Sequence, residues 1–253
     1  MRSRAAVVVM ILALGWPGRA PAQDSTGVPA AGPATASSSP FQLRWWHGVA
    51  AVGGVAAISL LDEPANRFFQ GQRTGTTDEI ASVFRHMGQP EVWATVPVAM
   101  LGVGWIAHDD RLVRSGARVG VSLLLAASVT VGAKFTLGRY RPNESTSAYD
   151  FSPFSGHGSF PSGHTTMAFA LASSLSDEIH RNWATALLYT AATGTGWSRM
   201  NDEKHWMSDV VAGALVGITS SKLVNGRWQL FHIRPPQFLV GPGIAAISWS
   251  ARF

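Results

Sequence analysis

Cysteine is absent from the 253 residues. That excludes disulfides, thiolate nucleophiles and thiolate metal sites, so an exported form must be held by its core alone. Charge is scarce too: 14% of residues are Asp, Glu, Lys or Arg, against roughly 25% in ordinary soluble domains. Cations outnumber anions, for a formal charge of +5, but they are scattered. Without a basic stripe or interleaved stacking aromatics, nucleic acid has no support as a partner; membrane surfaces and phosphorylated substrates fit better. There is no internal repeat. Apolar residues make up 46% of the chain, enough for one core or one small membrane bundle and not for a second full domain.

Residues 1–22 have the layout of an export signal. Arg2 and Arg4 form a basic start, Ala5 to Trp16 an apolar run, and Ala20-Pro21-Ala22 a small-residue cleavage site. The apolar run is shorter than the roughly 20 residues that span a bilayer, which favours cleavage over a retained anchor. Residues 23–40 are rich in Pro, Ala, Ser, Thr and Gly and read as a disordered linker. The main domain, 41–234, is expected to be all-α. Its apolar helices fall at about 45–61, 92–107, 112–137, 164–179, 183–197 and 207–224. Residues 62–91 are polar, with an amphipathic part at Ile80, Val83, Phe84 and Met87 closed by Gly88 and Pro90. Gly116/Gly120 and Gly213/Gly217 allow close helix packing. In the tail, 235–253, Ile247, Trp249, Ala251 and Phe253 alternate with polar residues, a strand-like period packed on the bundle.

Three polar clusters interrupt this apolar sequence. The first runs from Lys134 to Arg141-Pro142, at a helix end and into a loop that spans 138–163. A loop of that length is usually functional or disordered, and this one carries two of the three clusters. Lys134 offers a point charge and Arg141 a planar fork that matches two phosphate oxygens, although a Lys and an Arg at a helix end also cap carbonyls or sit in solvent. In the second cluster, Pro161-Ser162-Gly163-His164 precedes an apolar helix. A helix N-terminus binds anions through free N–H groups and its dipole. Gly163 allows close backbone approach, Ser162 adds a hydroxyl, and His164 stands where it can protonate a leaving group. A plain capped helix start with an incidental histidine is the alternative.

The third cluster is the most informative. Arg199 ends one helix, His205 begins the next, and Asp209 lies four residues on, where it can accept a hydrogen bond from one ring nitrogen of His205. That leaves the other nitrogen free as a base or nucleophile. A metal site or a surface ion pair would use the same two residues, but no further ligands of suitable type lie nearby in sequence. In an up-down bundle all three clusters face one end.

Lys134-x6-Arg141-Pro142, Pro161-Ser162-Gly163-His164 and Ser198-Arg199-x5-His205-x3-Asp209 match, in order and spacing, the signature of the type 2 phosphatidic acid phosphatase (PAP2) superfamily. The chain thus resembles a group that includes class A acid phosphatases and vanadium haloperoxidases. The resemblance covers roughly 112–222 and implies a six-helix PAP2-type bundle. It implies phosphate binding by Lys134, Arg141, Ser162, Gly163 and Arg199, a phosphohistidine at His205 oriented by Asp209, and a proton donor in His164. No metal or cofactor is implied, because three cations stabilise the transition-state oxygens. The polar run Asn201-Asp202-Glu203-Lys204 departs from the usual pattern and places acidic groups beside the cradle. His157 falls outside the signature and reads as a bystander.

Two readings within the family compete: a membrane phosphatase acting on lipid-linked phosphate, and a soluble periplasmic acid phosphatase of broad specificity. A cleaved signal followed by three full crossings before Lys134 would leave the site in the cytoplasm. At least one early helix is therefore expected not to span, with the site facing the periplasm. A haloperoxidase would bind vanadate in the same cradle but is usually larger. A non-catalytic envelope protein would be indifferent to loss of His205.

Overall fold

Each of the six expected apolar runs is a helix in the computed structural model, which describes residues 7–10, 40–230, 236–241 and 244–250. The helices are α1 (Trp45–Ser59), α4 (Pro90–Ala107), α5 (Asp110–Leu137), α6 (Gly163–Ile179), α7 (Asn182–Asn201) and α8 (Met207–Val224). The polar stretch between the first two adds α2 (Asp62–Gly71) and α3 (Gly75–Met87), giving eight among the described residues. Both additions are amphipathic and carry few large apolar side chains, so a search for continuous apolar runs passes over them. Five short strands are described as well: β1 (Val7–Met10), β2 (Phe41–Leu43), β3 (Trp228–Leu230), β4 (Gln237–Gly241) and β5 (Ile244–Ser250). The tail expected to alternate is thus a strand to Ser250, paired antiparallel with β4 and β1. β2 and β3 pair in parallel. Apart from Val7–Met10, the expected export signal lies outside the described residues, as do all of the linker but Pro40, and Ala251 and Phe253 of the tail.

Local sequence sets the helix boundaries. Asp109 caps α5 by accepting from the backbone N–H groups of Arg111 and Leu112. Gly138 ends α5 in the left-handed region (φ 57°), and a Cβ there would fall 1.8 Å from the Ser152 carbonyl oxygen. Only glycine fits that position. Thr74 and Thr77 cap the start of α3 reciprocally.

α5, α6 and α8 form the centre of the bundle. Val119, Leu123 and Ala126 of α5 pack on Met167, Ala170 and Leu171 of α6, closed from outside by Trp93, Val96 and Met100 of α4. α6 meets α8 through small residues: a Cβ on Gly217 would lie 2.4 Å from the Thr166 carbonyl oxygen, and one on Gly213 2.7 Å from that of Ser162. The α4–α5 contact is built likewise, with Gly116 against Met100 and Leu101. This is the backbone-to-backbone packing that small residues permit in apolar surroundings.

The outer surface is apolar. Trp45, Val52, Ile106, Leu124, Val131 and Trp183 are all at least 65% exposed, and large apolar side chains left exposed in such numbers suit an apolar environment. Gly75–Ala107, Asp110–Leu137 and Met207–Val224 are long and apolar enough to cross a membrane, and α1 with α2, bent by 52°, makes a fourth span if taken as one.

Candidate functional site

The three clusters converge at the end of the bundle formed by the C-termini of α5 and α7 and the N-termini of α6 and α8. Lys134 lies in the last turn of α5, Ser162 caps α6, Arg199 is in the last turn of α7, and Asp209 is in the first turn of α8. α7 runs two residues past Arg199, and His205 precedes the cap of α8, so both histidine and arginine flank a tight turn. That turn is held by the Arg199 carbonyl, which accepts from the backbone N–H groups of Lys204 (3.0 Å) and His205 (3.3 Å). Its backbone reaches the left-handed region at Glu203.

The starts of α6 and α8 are tied by the Ser162 N–H donating to the Asp209 carbonyl (3.0 Å). The Ser162 hydroxyl accepts from Thr165 Oγ1 (2.9 Å), which leaves its own O–H as a donor. At Gly163 a Cβ would meet only Lys134 Cε, at 3.8 Å. Packing does not demand glycine there, and the space over the helix N-terminus is open apart from that contact. Lys134 Nζ donates to the Gly158 carbonyl and so stands over that N-terminus. The loop presents Arg141, whose backbone N–H is held by Glu144 (3.1 Å). His157 stacks on Tyr140 and lies 3.5 Å from Glu144, contacts within the loop itself.

Among the described residues, Arg141 Nε, Arg199 Nε and His205 Nδ1 are buried without a hydrogen-bond partner. Buried donors seldom stay unsatisfied: His205 Nδ1 is turned to Asp209, and the two guanidinium nitrogens leave a place for an acceptor-rich ligand. The field of the site acts in the same sense. Burial lowers His164 to about 4, and Arg199, His205, Lys134 and Arg141 all push it down further. Burial also lowers His205 to about 4, against the opposing pull of Asp209 and with help from Lys134 and Arg199. Both imidazoles are therefore neutral at pH 7, and a bound dianion would raise both.

The expected hydrogen bond between His205 and Asp209 is longer than expected. Nδ1 and Oδ2 are 3.7 Å apart, beyond hydrogen-bonding range. The reason is competition: Oδ2 accepts from Ser159 Oγ (2.5 Å) and the Trp206 N–H (2.9 Å), and Oδ1 accepts from Arg139 Nη1 (2.6 Å). Arg139 was not among the expected site residues, nor was Asp62, which binds the same guanidinium through Nη2 (2.7 Å). A signal for Arg139 was present: it stands two residues before Arg141, and alternate residues of an extended stretch point to one side. Asp62 lies 72 positions before Lys134 in a polar helix start, where sequence gives no cue.

The acidic residues beside the cradle are themselves paired. Asp202 Oδ2 takes Arg85 Nη1 (2.8 Å) and Arg199 Nη1 (3.1 Å), and Glu203 lies 3.9 Å from Arg73. Arg85 thus enters the rim from α3. Gly88 seats α3 and α4 against the site, since a Cβ there would come within 3.0 Å of His164 Cβ.

Residues 115–230 match the PAP2 superfamily. A lipid A 1-phosphatase of Porphyromonas gingivalis is 32% identical over 133 residues, 52% of this chain and 27% of that protein. The putative undecaprenyl-diphosphatase YbjG of Escherichia coli is 28% identical over 113 residues, 43% of this chain and 57% of that protein. The matched segments thus span about a quarter and just over half of these two relatives. The crystal structure of Aquifex aeolicus LpxE superposes with a TM-score of 0.50 and 25% identity, covering 64% of this chain and 92% of the other. A transmembrane PAP2 type phosphatidylglycerolphosphate phosphatase from Bacillus subtilis shares the fold, with a TM-score of 0.51 at 18% identity over 70% of this chain and 94% of the other.

Proposed function

With residues 115–230 belonging to the PAP2 superfamily, we propose that this chain is a metal-independent phosphatase of lipid-linked phosphate monoesters or diphosphates. The observation that carries the reading is the pair of buried, unpartnered guanidinium donors, Arg141 Nε and Arg199 Nε, beside His205, at one end of a bundle whose outer surface is apolar. The names of the relatives, a lipid A 1-phosphatase and a putative undecaprenyl-diphosphatase, support a lipid-borne phosphate.

In this mechanism Lys134, Arg141 and Arg199 hold the phosphoryl oxygens, with Ser162 and the backbone N–H groups at Gly163 completing the cradle. Nδ1 of His205 faces Asp209, so Nε2 attacks phosphorus in line. His164, neutral in the free site, takes up the proton that a substrate phosphate monoanion brings and passes it to the departing alcohol or phosphate oxygen. It then takes one from the water that hydrolyses the phosphohistidine. Neutral His205 is the nucleophilic form, and its low pKa keeps it so from about pH 4 upward.

The site opens towards the periplasm in this proposal. That fits the export signal read from residues 1–22 if α1 does not cross, and its break against α2 with a 52° bend suits a segment that turns back at the surface. The amphipathic α2 and α3, at the same end as the site, then lie in the interface.

Phosphate release from undecaprenyl diphosphate and from p-nitrophenyl phosphate, compared in mild detergent, tests the substrate class. A kcat/KM at least tenfold higher for the lipid is expected. Equal or better turnover of the water-soluble ester would replace the lipid reading with a broad-specificity periplasmic phosphatase.

A further inference from the structure

Behind the cradle lies a second, fully buried ionic cluster. Asp62, Arg139 and Asp209 are 0%, 2% and 0% exposed. The Arg139 guanidinium is divided between two carboxylates. Nη1 donates to Asp209 Oδ1 (2.6 Å) and to Ser208 Oγ (2.8 Å). Nη2 donates to Asp62 Oδ2 (2.7 Å) and to the Ala148 carbonyl (2.6 Å), and Nε donates to that carbonyl at 2.9 Å. All three kinds of guanidinium nitrogen are thereby used. Asp62 is fixed in turn at the start of α8: Oδ1 accepts the Ser208 N–H (2.7 Å) and Oδ2 the Ser208 hydroxyl (2.6 Å).

We infer that Asp62 and Arg139 are positioning residues for the His205–Asp209 pair: together they fix which way the Asp209 carboxylate faces and keep it ionised beside the histidine. This rests on the reading of His205 as nucleophile. Asp209 is out of water, and a buried carboxylate persists as an anion only when paired and hydrogen-bonded. Among the described residues Arg139 is the one permanently cationic side chain within ion-pair distance of Asp209. A single guanidinium in a cavity can rotate about its own axis; a second carboxylate on its other fork fixes its plane, and hence the plane of Asp209. Asp62 supplies that second carboxylate from the start of α2, before the matched segment begins. The helices preceding that segment therefore contribute to the site as well as to the outer surface.

A purely structural staple would behave differently from a positioning pair. Neither Asp62 nor Arg139 is hydrogen-bonded to Lys134, Arg141, Ser162 or Arg199. Their loss should leave anion capture in the cradle intact and weaken only what His205 does to phosphorus. Two probes separate these. Inorganic phosphate reports the cradle, while orthovanadate accepts a fifth ligand and so also reports the aim of the His205 nitrogen.

The experiment uses the full chain in mild detergent. Asp62→Asn and Arg139→Lys are compared with wild type and His205→Ala for kcat, KM, and inhibition by phosphate and by orthovanadate. Lysine is chosen because it can pair with Asp209 but cannot also bridge to Asp62. The expected result for both variants is a kcat lowered by about tenfold to a hundredfold. KM and the phosphate inhibition constant should stay within about twofold, with the orthovanadate constant raised at least tenfold. Phosphate and vanadate constants that shift together, or neither shifting, would overturn the inference. If Asp62→Asn does not yield a monodisperse protein, Ser208→Ala decides by the same ratio, with a threefold selective loss of vanadate inhibition as the threshold. Turnover that persists in His205→Ala would instead refute the underlying mechanism, so the two failures are distinguishable.

Discussion

His205→Ala is expected to lower phosphate release by at least about ten-thousand-fold, with KM changed by less than about fivefold. Loss of a nucleophile that acts with a general acid as one unit removes most of the chemical acceleration and leaves only what binding supplies. In free-energy terms this is about 5 kcal/mol of transition-state stabilisation. Binding survives because the cradle is built from other elements. Lys134 comes from α5, Arg141 from the loop and Arg199 from α7, each placed by contacts that do not involve the imidazole ring. Folding is expected to survive too, because Nδ1 of His205 has no hydrogen-bond partner among the described residues and Asp209 keeps its bonds to Ser159, Trp206 and Arg139. Purified His205→Ala protein with wild-type phosphate affinity and no turnover is the outcome to look for. Residual turnover above about 1% of wild type would mean that another group attacks phosphorus.

His164→Ala is expected to separate leaving groups. For an alkyl or lipid alcohol, which must be protonated as it departs, kcat should fall by about a hundredfold to ten-thousandfold. For p-nitrophenyl phosphate, whose phenolate leaves without a proton, the loss should be about tenfold or less. The pH dependence follows from the same residue. In the free site burial and the surrounding cations hold both His164 and His205 at about 4. Below that pH His205 becomes protonated and cannot attack, so kcat/KM rises as pH increases through about 4. Above it His164 has lost its proton, which must then arrive with the substrate as a phosphate monoanion. A phosphate monoester loses its second proton near pH 6, so kcat/KM for a monoester should fall above about that value. The expected profile is an acidic bell, measurable with any soluble monoester. In His164→Ala the descending limb should flatten for substrates with good leaving groups.

Much of this architecture was legible in the chain. The apolar runs mark six helices to within a few residues at most ends, and the spacing of three polar clusters places eight residues at one end of a bundle. The features without a local sequence pattern share a physical cause. α2 buries little and presents mixed faces, so neither hydropathy nor length distinguishes it from loop, while α3 shows in the chain only as the amphipathic part at Ile80, Val83, Phe84 and Met87 before Gly88 and Pro90. Asp62 and Arg85, which those helices bring to the site, act through pairs separated by 146 and 117 positions, to Ser208 and Asp202. No local pattern encodes such a pairing. The 3.7 Å between His205 and Asp209 has a related cause. Spacing of four residues brings two side chains to one face, but it does not show that Ser159, Trp206 and Arg139 already occupy the carboxylate.

The central claim is a covalent phosphohistidine at residue 205, and one measurement addresses it directly. Wild-type protein is mixed with a 32P-labelled substrate, quenched in the pre-steady state under denaturing alkaline conditions, and digested for peptide mapping. The account predicts label on the peptide containing His205, stable to alkali and lost in acid, and none in His205→Ala. Label on a different residue, or full turnover with no labelled protein at any quench time, would contradict it.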